Sequence, residues 1–423
     1  MLKWVCPKPH GASSCLHTNT TPSLRAKNKK QKGEIDVKKI ISIALALLMV
    51  AVMLPVMAMA DESTAVAKLT IGETVTYHNS LVDAVKAAID KTDAKIDVLK
   101  SSSGDGIEVK HPNKLDLTID FHGHTYDVSG KAVGSKGYES QAWHIEKESK
   151  LTLMNGTLEA SSKSVAMLFQ NYSNLALDNM VLNAQKTGFA YVMSNNNGDV
   201  VIKDTTIFAA AGMVAFDVCR FAAYTGPSVT VQGNSVINGK VEISSDGKKD
   251  GAQHKLAIEN GTFNGPIVKA GESPEFSSSI SGGTFNTDVT EYVGENTLVV
   301  TDGNNYYVGN TAKSTIENAT SGTFTVKKAE NDTSLTVKPG VTVKNGMNDG
   351  KVTVNGNEVA PEKSYTVPGT ITIIVPSDGG NTTTTPSTDN TKNPGTGAND
   401  LVGVAAALAV VSLLGAAAVI RKK

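Results

Sequence analysis

The stretch Leu151-Thr-Leu-Met-Asn-Gly-Thr-Leu158 decides the fold, because its pattern recurs along the chain. Two apolar residues separated by one position are followed by a turn residue and then by a third apolar residue. Five further copies follow at steps of 22 to 29 residues, beginning at Leu175, Val200, Val229, Leu256 and Ser278. Alternation with a period of two predicts a short strand with one buried face. A strand unit that returns at a slightly variable step predicts a solenoid whose strands keep register while its loops differ in length.

The turn position of the repeat is occupied by Asn155, Asn179, Asp204 and Asn260. Asn and Asp tolerate the left-handed backbone conformation and hydrogen-bond nearby backbone groups, so we expect the chain to turn there. The pattern resembles the right-handed parallel β-helices of the pectate-lyase-like group. That resemblance implies three short strands in each coil and a structural ladder of these four side chains at one turn. We therefore expect an all-β fold with a right-handed parallel β-helix over residues 61–307.

A helix is predicted at the start of this solenoid. Residues 80–89 have apolar side chains at helical spacing, and Ser80 stands at the N-cap position. Such a helix would cover the open end of the solenoid, which otherwise exposes core side chains and strand edges. This layout resembles the β-helical surface proteins of gut Gram-positive bacteria, and the segment 282–292 resembles one that is common near the end of their repeats.

The character of the chain changes after Tyr307. Residues 308–376 contain short alternating strands separated by Pro-Gly, Asn-Gly and Asp-Gly turns, which fit either a small β module or further coils. Residues 377–392 consist of Thr, Asn, Asp, Ser, Gly, Pro and Lys without an apolar anchor, and they predict a disordered linker.

A membrane-directed tail is predicted at residues 393–423. It opens with a five-residue motif: Asn393, Pro394, Gly395, Thr396 and Gly397. An apolar run at 401–420 is long enough to cross a bilayer, and the basic residues 421–423 after it favour the cytoplasmic side. This arrangement resembles the LPxTG-like sorting signal of Gram-positive cell-wall proteins, although Asn393 replaces the usual Leu. The resemblance implies that a sortase cleaves after Thr396 and joins it to peptidoglycan. A plain C-terminal membrane anchor is the alternative.

The N-terminal region predicts secretion. Residues 37–60 combine two lysines, an apolar segment and the small residues Ala58 and Ala60, as in a signal peptide cleaved before Asp61. Residues 1–36 do not fit in front of such a signal, and we interpret them as a non-native extension that arises from a misassigned start. Val37 would then be the translation start.

The expected mature chain is acidic. Between Asp61 and Gly397 there are 28 Lys and Arg against 38 Asp and Glu, so the net charge is −10. That charge disfavours nucleic acid as a partner. Cys219 is the only cysteine in this range, which excludes an intramolecular disulfide, and its apolar neighbours predict a small buried side chain.

Candidate catalytic and binding residues are few. Asp217 with Arg220 is interpreted as a surface ion pair or a capped turn, and the pair His122 and His124 as an exposed turn without a third metal ligand. The carboxylates Asp116, Asp120 and Asp127 could line one face or a solvated edge. Tyr292, Tyr306 and Tyr307 are the best aromatic candidates for sugar stacking, although packing is the better interpretation. No catalytic residue, cofactor or metal ion is predicted.

The predicted function is that of a secreted cell-surface protein, held at the wall or membrane, which acts as a non-catalytic adhesin or stalk. Its predicted partners are the sortase, peptidoglycan through Thr396, the cytoplasmic membrane through 401–420 before cleavage, and a host or community glycan or protein. Two alternatives stay open. One is a surface polysaccharide lyase or hydrolase of the pectate-lyase-like group, and the other is a structural wall protein without a ligand.

The predicted processing of the N-terminus can be checked by mass spectrometry of the protein isolated from its cells. Because a signal peptidase cuts after a small-x-small sequence, we expect the first residue to be Asp61. Peptides from residues 1–36 in the same proteome would contradict the assignment of the start to Val37.

Overall fold

The computed structural model describes residues 61–369, apart from 186–188, 223, 246–253 and 272–275. Within this part of the chain the fold is a parallel β-helix of about seven turns, with few helices. The solenoid that the repeat predicts is therefore confirmed. The predicted signal peptide with Ala58 and Ala60, the linker 377–392 and the sorting signal 393–423 lie outside the described residues.

The elements follow one another in the order of the turns. A hairpin and a helix come first: β1 (Ala67–Ile71), β2 (Thr74–His78) and α1 (Leu81–Ala88). The first four turns contain β3 (Ala94–Val98), β4 (Ser102–Gly104), β5 (Ile107–Val109), β6 (Asp116–Asp120), β7 (Thr125–Val128), β8 (Gln141–Ile145), β9 (Lys150–Glu159), β10 (Met167–Asn171), β11 (Asn174–Ala184) and β12 (Tyr191–Asn195). The next three contain β13 (Asn197–Lys203), β14 (Thr206–Ala209), β15 (Val214–Arg220), β16 (Gly226–Gln232), β17 (Val236–Asn238), β18 (Lys240–Ser245), β19 (His254–Ile258), β20 (Thr262–Phe263) and β21 (Ile267–Ala270).

The remaining elements close the solenoid and continue beyond it. They are β22 (Phe276–Ile280), β23 (Gly282–Phe285), a 3-10 turn (Thr290–Tyr292), β24 (Val299–Thr301), β25 (Tyr306–Val308), α2 (Gly309–Asn318), β26 (Gly322–Lys328), β27 (Thr333–Leu335), β28 (Val341–Asn345), β29 (Val352–Val354), β30 (Asn357–Val359) and β31 (Ser364–Thr366).

The strands of each turn lie on three faces of the solenoid. The first face contains β3, β6, β13, β16, β19 and β22 together with the first halves of β9 and β11. The second contains β4, β7, β14, β17, β20 and β23 together with the second halves of β9 and β11. The third contains β5, β8, β10, β12, β15, β18 and β21. Neighbouring strands on each face are parallel, as a coiled chain requires.

The register of the first face matches the sequence repeat. The first positions of the six copies pair in one continuous parallel column: Leu151, Leu175, Val200, Val229, Leu256 and Ser278. Since side chains alternate between the two sides of a strand, this register places the apolar residues of the first face toward the core. The third apolar position of the fourth copy, Val236, is partly exposed, because the turn before it is one residue longer and Ile237 takes the buried place. Aromatic rings also stack between turns: Trp143 on Phe169, with centroids 5.7 Å apart, and Phe263 on Phe285, at 4.8 Å.

Buried hydroxyl groups join the turns at the corner between the first and second faces. Thr205 and Ser235 are both fully buried. The Thr205 Oγ1 accepts a hydrogen bond from the backbone N–H of Met180 at 3.1 Å and donates one to the carbonyl of Lys203 at 2.9 Å. In the next turn the Ser235 Oγ accepts from the backbone N–H of Thr205 at 3.2 Å. These hydroxyls satisfy backbone groups that the corner would otherwise bury without partners.

Helix α1 covers the first end of the solenoid. Its side chains Leu81, Ala84, Val85 and Ala88 are buried in the same core as the coils. The Ser80 Oγ accepts a hydrogen bond from the backbone N–H of Asp83 at 3.0 Å, as expected of an N-cap. Strand β1 pairs antiparallel with β3 and with β2, so the first face ends in a hairpin.

The other end of the solenoid is joined to the last part of the described chain. Strand β25 pairs antiparallel with both β23 and β24, and β24 pairs with β26. Beyond it, β26 with β28 and β27 with β29 form parallel pairs, whereas β31 pairs antiparallel with β28 and β30 pairs antiparallel with β29. A second apolar core lies here and includes Val300, Ile316 and Val343. Helix α2, which contributes Ala312 and Ile316, was not predicted from the sequence.

Both described helices are too short to cross a bilayer.

The contribution of the buried Thr205 hydroxyl to stability can be measured with Thr205→Val. The substitution keeps the shape of the side chain but leaves the buried N–H of Met180 without its acceptor, so we expect the free energy of unfolding to fall by about 1–3 kcal/mol. Denaturant unfolding followed by circular dichroism gives this value. Thr206→Val is the matched control, because Thr206 is the next residue, at the start of β14, and is partly exposed. An equal effect of the two substitutions would contradict a stabilising role of the Thr205 hydroxyl.

Candidate functional site

Part of the predicted ladder lies at the corner that follows the first face. Asn155 and Asn179 both adopt left-handed backbone conformations, with φ of 57° and 54°. The Nδ2 of Asn179 donates to the Oδ1 of Asn155 at 3.0 Å, and the Nδ2 of Asn155 donates to the Oδ1 of Asp120 at 3.1 Å. Three successive turns are therefore connected by side chains. Asp120 was predicted as a carboxylate on one face or a solvated edge and not as a member of the ladder, because the turn after it is longer than in the other copies.

The other two predicted ladder residues lie in the same register but make different contacts. Asp204 is left-handed, with φ of 49°, and its Oδ1 accepts from the backbone N–H of Asn234 at 2.8 Å. At Asn260 the positive φ falls instead on the next residue, Gly261. The Asn260 Oδ1 accepts a long hydrogen bond of 3.5 Å from Thr311 at the start of α2. Among the described contacts, hydrogen bonds between ladder side chains join only the first turns of the series.

A row of polar side chains runs along the outer side of the third face. Its members pair in register on six successive turns: Glu108, His144, Gln170, Ser194, Asp217 and Glu242. Each follows a core residue such as Trp143 or Phe216 in its strand, so its side chain points away from the core. We call this set the polar row. The polar row could not be predicted from the repeated pattern, because the third-face strands lie outside that pattern.

Asp217 is the most strongly perturbed member of the polar row. Only 4% of it is exposed, and it accepts hydrogen bonds from Ser194 Oγ at 2.9 Å and from the backbone N–H of Asn195 at 2.6 Å. Burial raises the pKa of its carboxyl from 3.8 to about 8, helped by the charge of Glu242 and opposed by the two hydrogen bonds. The predicted surface ion pair with Arg220 is therefore wrong, because Asp217 is buried and its oxygens bind other groups.

Glu242, the last member of the polar row, is hydrogen-bonded to a tyrosine outside the row. The hydroxyl of Tyr191 donates to the Oε1 of Glu242 at 2.7 Å. Burial, and then this hydrogen bond to a carboxylate, raise the pKa of Tyr191. The hydrogen bond joins β12 to β18, two turns away. Asp217 lies in the turn between them, where it is in register with Glu242.

Two basic side chains lie inside the solenoid, one at the end of a third-face strand and one at the start of a first-face strand. Arg220 is 2% exposed, and His254 is fully buried against Phe276. Neither ring nitrogen of His254, nor the Nη2 of Arg220, has a hydrogen-bond partner among the described atoms. Burial, and then the charge of Arg220, lower the pKa of His254 to about 4, so the ring is neutral near pH 7. Cys219 is partly exposed rather than buried as predicted, because it alternates with the core residues Val218 and Arg220.

A groove follows the corner between the third and first faces. Residues 90–92, 114–116, 148–150, 172–174 and 197–198 line it, and its volume is about 530 Å³. We call it the corner groove. The five segments belong to five successive turns, so the groove runs parallel to the solenoid axis.

An aromatic cluster stands at one end of the corner groove. It consists of Tyr172, Phe221 and Tyr224, all half-buried. The ring centroid of Tyr172 lies 5.0 Å from that of Tyr224 and 6.5 Å from that of Phe221. The His144 ring is nearly perpendicular to that of Tyr172, with centroids 5.9 Å apart. Of these three residues Tyr172 lines the corner groove, so the cluster adjoins the groove at this residue.

The aromatic residues that the sequence analysis selected have packing contacts instead. Tyr292 is buried, and its hydroxyl donates to the carbonyl of Ile267 at 3.4 Å. Tyr306 and Tyr307 lie in β25, where they pair with strands on both sides. The Tyr307 hydroxyl donates to Asp302 at 2.8 Å. These contacts agree with the packing interpretation.

The histidines of the first long turn do not form a metal site. His122 Nε2 lies 3.1 Å from Asp97 Oδ1, and His122 Nδ1 lies 3.6 Å from Asp120 Oδ1. Within the described ranges, no group of three or more His, Cys, Asp or Glu is arranged to hold a metal ion. His122 therefore acts here as a surface partner of two carboxylates.

Comparison with known proteins adds no family to this fold. No protein-family model, curated protein or solved structure matches the chain.

The protonation of Asp217 can be tested with Asp217→Asn. Between about pH 4 and 8 the folded protein holds a proton that the unfolded chain has lost, so the stability of the wild type falls as the pH rises. The asparagine does not titrate, and we expect its stability relative to the wild type to increase toward pH 8, by at most about 1.4 kcal/mol per pH unit. Urea unfolding at several pH values measures the difference. A difference that stays constant with pH would contradict a buried protonated carboxyl.

Proposed function

We propose that the chain is a secreted surface protein whose right-handed, pectate-lyase-like β-helix acts as a non-catalytic adhesin or stalk. The observation that carries this proposal is the use of the outward polar side chains. Asn155 and Asn179 bind the neighbouring turn, as do Asn238 and Asn264, whose side chains are hydrogen-bonded at 2.8 Å. Such groups stiffen the coil, and an amide does not titrate, so these side chains cannot serve as the acid or base of a catalytic centre.

The location of the protein is part of the same proposal. Its support is the predicted signal peptide with cleavage before Asp61, together with the predicted sorting signal from Asn393 to Gly397. A sortase would join Thr396 to peptidoglycan, or the span 401–420 would keep the chain in the membrane. The Thr- and Asn-rich linker 377–392 would then separate the solenoid from that anchor.

A hydrolase is the second candidate, because two carboxyl groups lie side by side on the third face. Asp217 holds its proton near neutral pH, and Glu242 pairs with it in the next turn. A protonated acid next to a second carboxylate is the arrangement that glycosidases use. The burial of Asp217 and its hydrogen bonds to Ser194 and Asn195 weigh against this function, since the carboxyl does not reach a substrate.

An experiment with surrogate Gram-positive cells separates the two candidates. Cells that display the full chain would be compared with cells that lack it, for adherence to immobilised glycans and glycoproteins. The same cells would be incubated with soluble polysaccharides, followed by assay of new reducing ends and of unsaturated uronates. We expect adherence to increase and no product to form.

Two outcomes would contradict this proposal. New reducing ends that form with the wild type without unsaturated uronates, and that disappear with Asp217→Asn, would identify a hydrolase, whereas unsaturated uronates would identify a lyase. Normal surface display without any gain in adherence would leave the structural wall protein as the better interpretation.

A further inference from the structure

The corner groove has the dimensions of a site for an extended polymer. Its five lining segments lie in successive turns, and parallel strands are about 4.8 Å apart, so the groove is roughly 20 Å long. It runs along the solenoid axis rather than across it. A ligand that fills it is therefore elongated, and it meets a similar corner at every turn.

The chemistry of the groove is that of paired donors and acceptors. Three lysines and three carboxylates line it: Lys91, Lys114, Lys150, Asp90, Asp116 and Glu148. Lys114 Nζ lies 2.7 Å from Glu148 Oε2, and Lys150 Nζ lies 3.8 Å from Asp116 Oδ1. Ammonium groups donate and carboxylates accept, so a ligand hydroxyl finds both kinds of partner side by side. The charges balance, so the groove itself does not attract an ion of either sign.

Asn174 adds a neutral donor in the same lining segment as Tyr172, the fourth of the five. Its Oδ1 accepts a hydrogen bond from the backbone N–H of Asp199 at 2.9 Å, which fixes the amide plane. The Nδ2 group is left to face outward on an exposed residue. Asn197, by contrast, uses its amide internally, since it donates to the carbonyl of Tyr172 at 2.9 Å and accepts from Thr225 at 2.8 Å.

Tyr172 supplies an apolar wall next to these polar groups. Its ring is held by the rings of Tyr224 and His144, and its hydroxyl accepts from Gln170 Nε2 at 3.0 Å. A held ring binds a flat apolar surface without losing much conformational freedom. A surface that combines an aromatic ring with fixed donors and acceptors suits a ligand with apolar C–H faces and many hydroxyls.

We propose that the corner groove binds a neutral polysaccharide chain that lies along the solenoid axis, with a sugar ring stacked on Tyr172 and a hydroxyl bound by Asn174. This inference rests on the proposed adhesin function and names the class of its ligand. Neutral sugars are favoured because the groove has no net charge, while the expected mature chain, at −10, repels acidic polymers. An extended peptide is disfavoured, because the groove is made of strand corners and not of an open strand edge.

Affinity electrophoresis of the full chain tests this proposal. The gels would contain mixed-linkage β-glucan, arabinoxylan or galactomannan as neutral probes, and polygalacturonate as the acidic probe. We expect at least one neutral polysaccharide to retard the protein, with little dependence on salt because no net charge is neutralised. We expect Tyr172→Leu and Asn174→Asp each to weaken this binding about tenfold or more.

Two matched controls keep the test independent of folding. Tyr138→Leu removes a tyrosine that is 51% exposed and does not line the groove. Asn183→Asp changes an asparagine on the second face whose Oδ1 also accepts a backbone N–H, that of Gln185 at 3.4 Å. Both controls should bind like the wild type. Asn174→Asp retains the acceptor for Asp199, so it should fold even if Tyr172→Leu is destabilised.

Several results would overturn the proposal. They are retardation by polygalacturonate alone, no retardation by any neutral probe, or equal binding by the groove variants and their controls. The adherence of cells that display the chain tests the proposed function separately. Cells that adhere through a protein ligand, unaffected by both groove variants, would refute the groove and keep the adhesin. Cells that gain no adherence would refute the adhesin itself.

Discussion

Parallel stacking of each turn on the next is the constraint on which this structure depends. The column from Leu151 through Leu175 and Val200 to Val229 holds only if every turn keeps the same register. A slip of one residue would move the apolar side chains from the core to the solvent. Left-handed residues such as Asn155 and buried hydroxyls such as that of Thr205 fix the corners at which the register could slip.

This constraint leaves the outer surface and the loops free to vary. The steps between copies range from 22 to 29 residues, yet the strands remain paired, because extra residues are accommodated between faces. A site on such a fold is built by stacking, since residues far apart in sequence become neighbours at a spacing of about 4.8 Å. Glu108 and Glu242 thus belong to one polar row, and Asp90 and Gly198 to one groove.

The sequence was sufficient to predict the solenoid, its first-face register and the helix capped by Ser80, because each depends on local periodicity or local capping chemistry. It was not sufficient for the site. Tyr172 and Tyr224 are 52 positions apart in the numbering, and only the lengths of the intervening loops bring their rings to 5.0 Å. Asp217 was misjudged for a similar reason, because nothing in its neighbours along the chain reveals that the outer side of its strand is buried.

Presentation of the solenoid at the cell surface is the central claim, because an adhesin and its groove have a role only where ligands can reach them. Mass spectrometry of the C-terminal peptide after cell fractionation tests it most directly. We expect a chain that is released only by muralytic enzymes and that ends at Thr396 with a wall-peptide adduct. Recovery of the chain in the cytosolic fraction, with residues 37–60 still attached, would contradict surface presentation. An intact C-terminus in the membrane fraction would contradict sortase anchoring and leave a membrane-held protein.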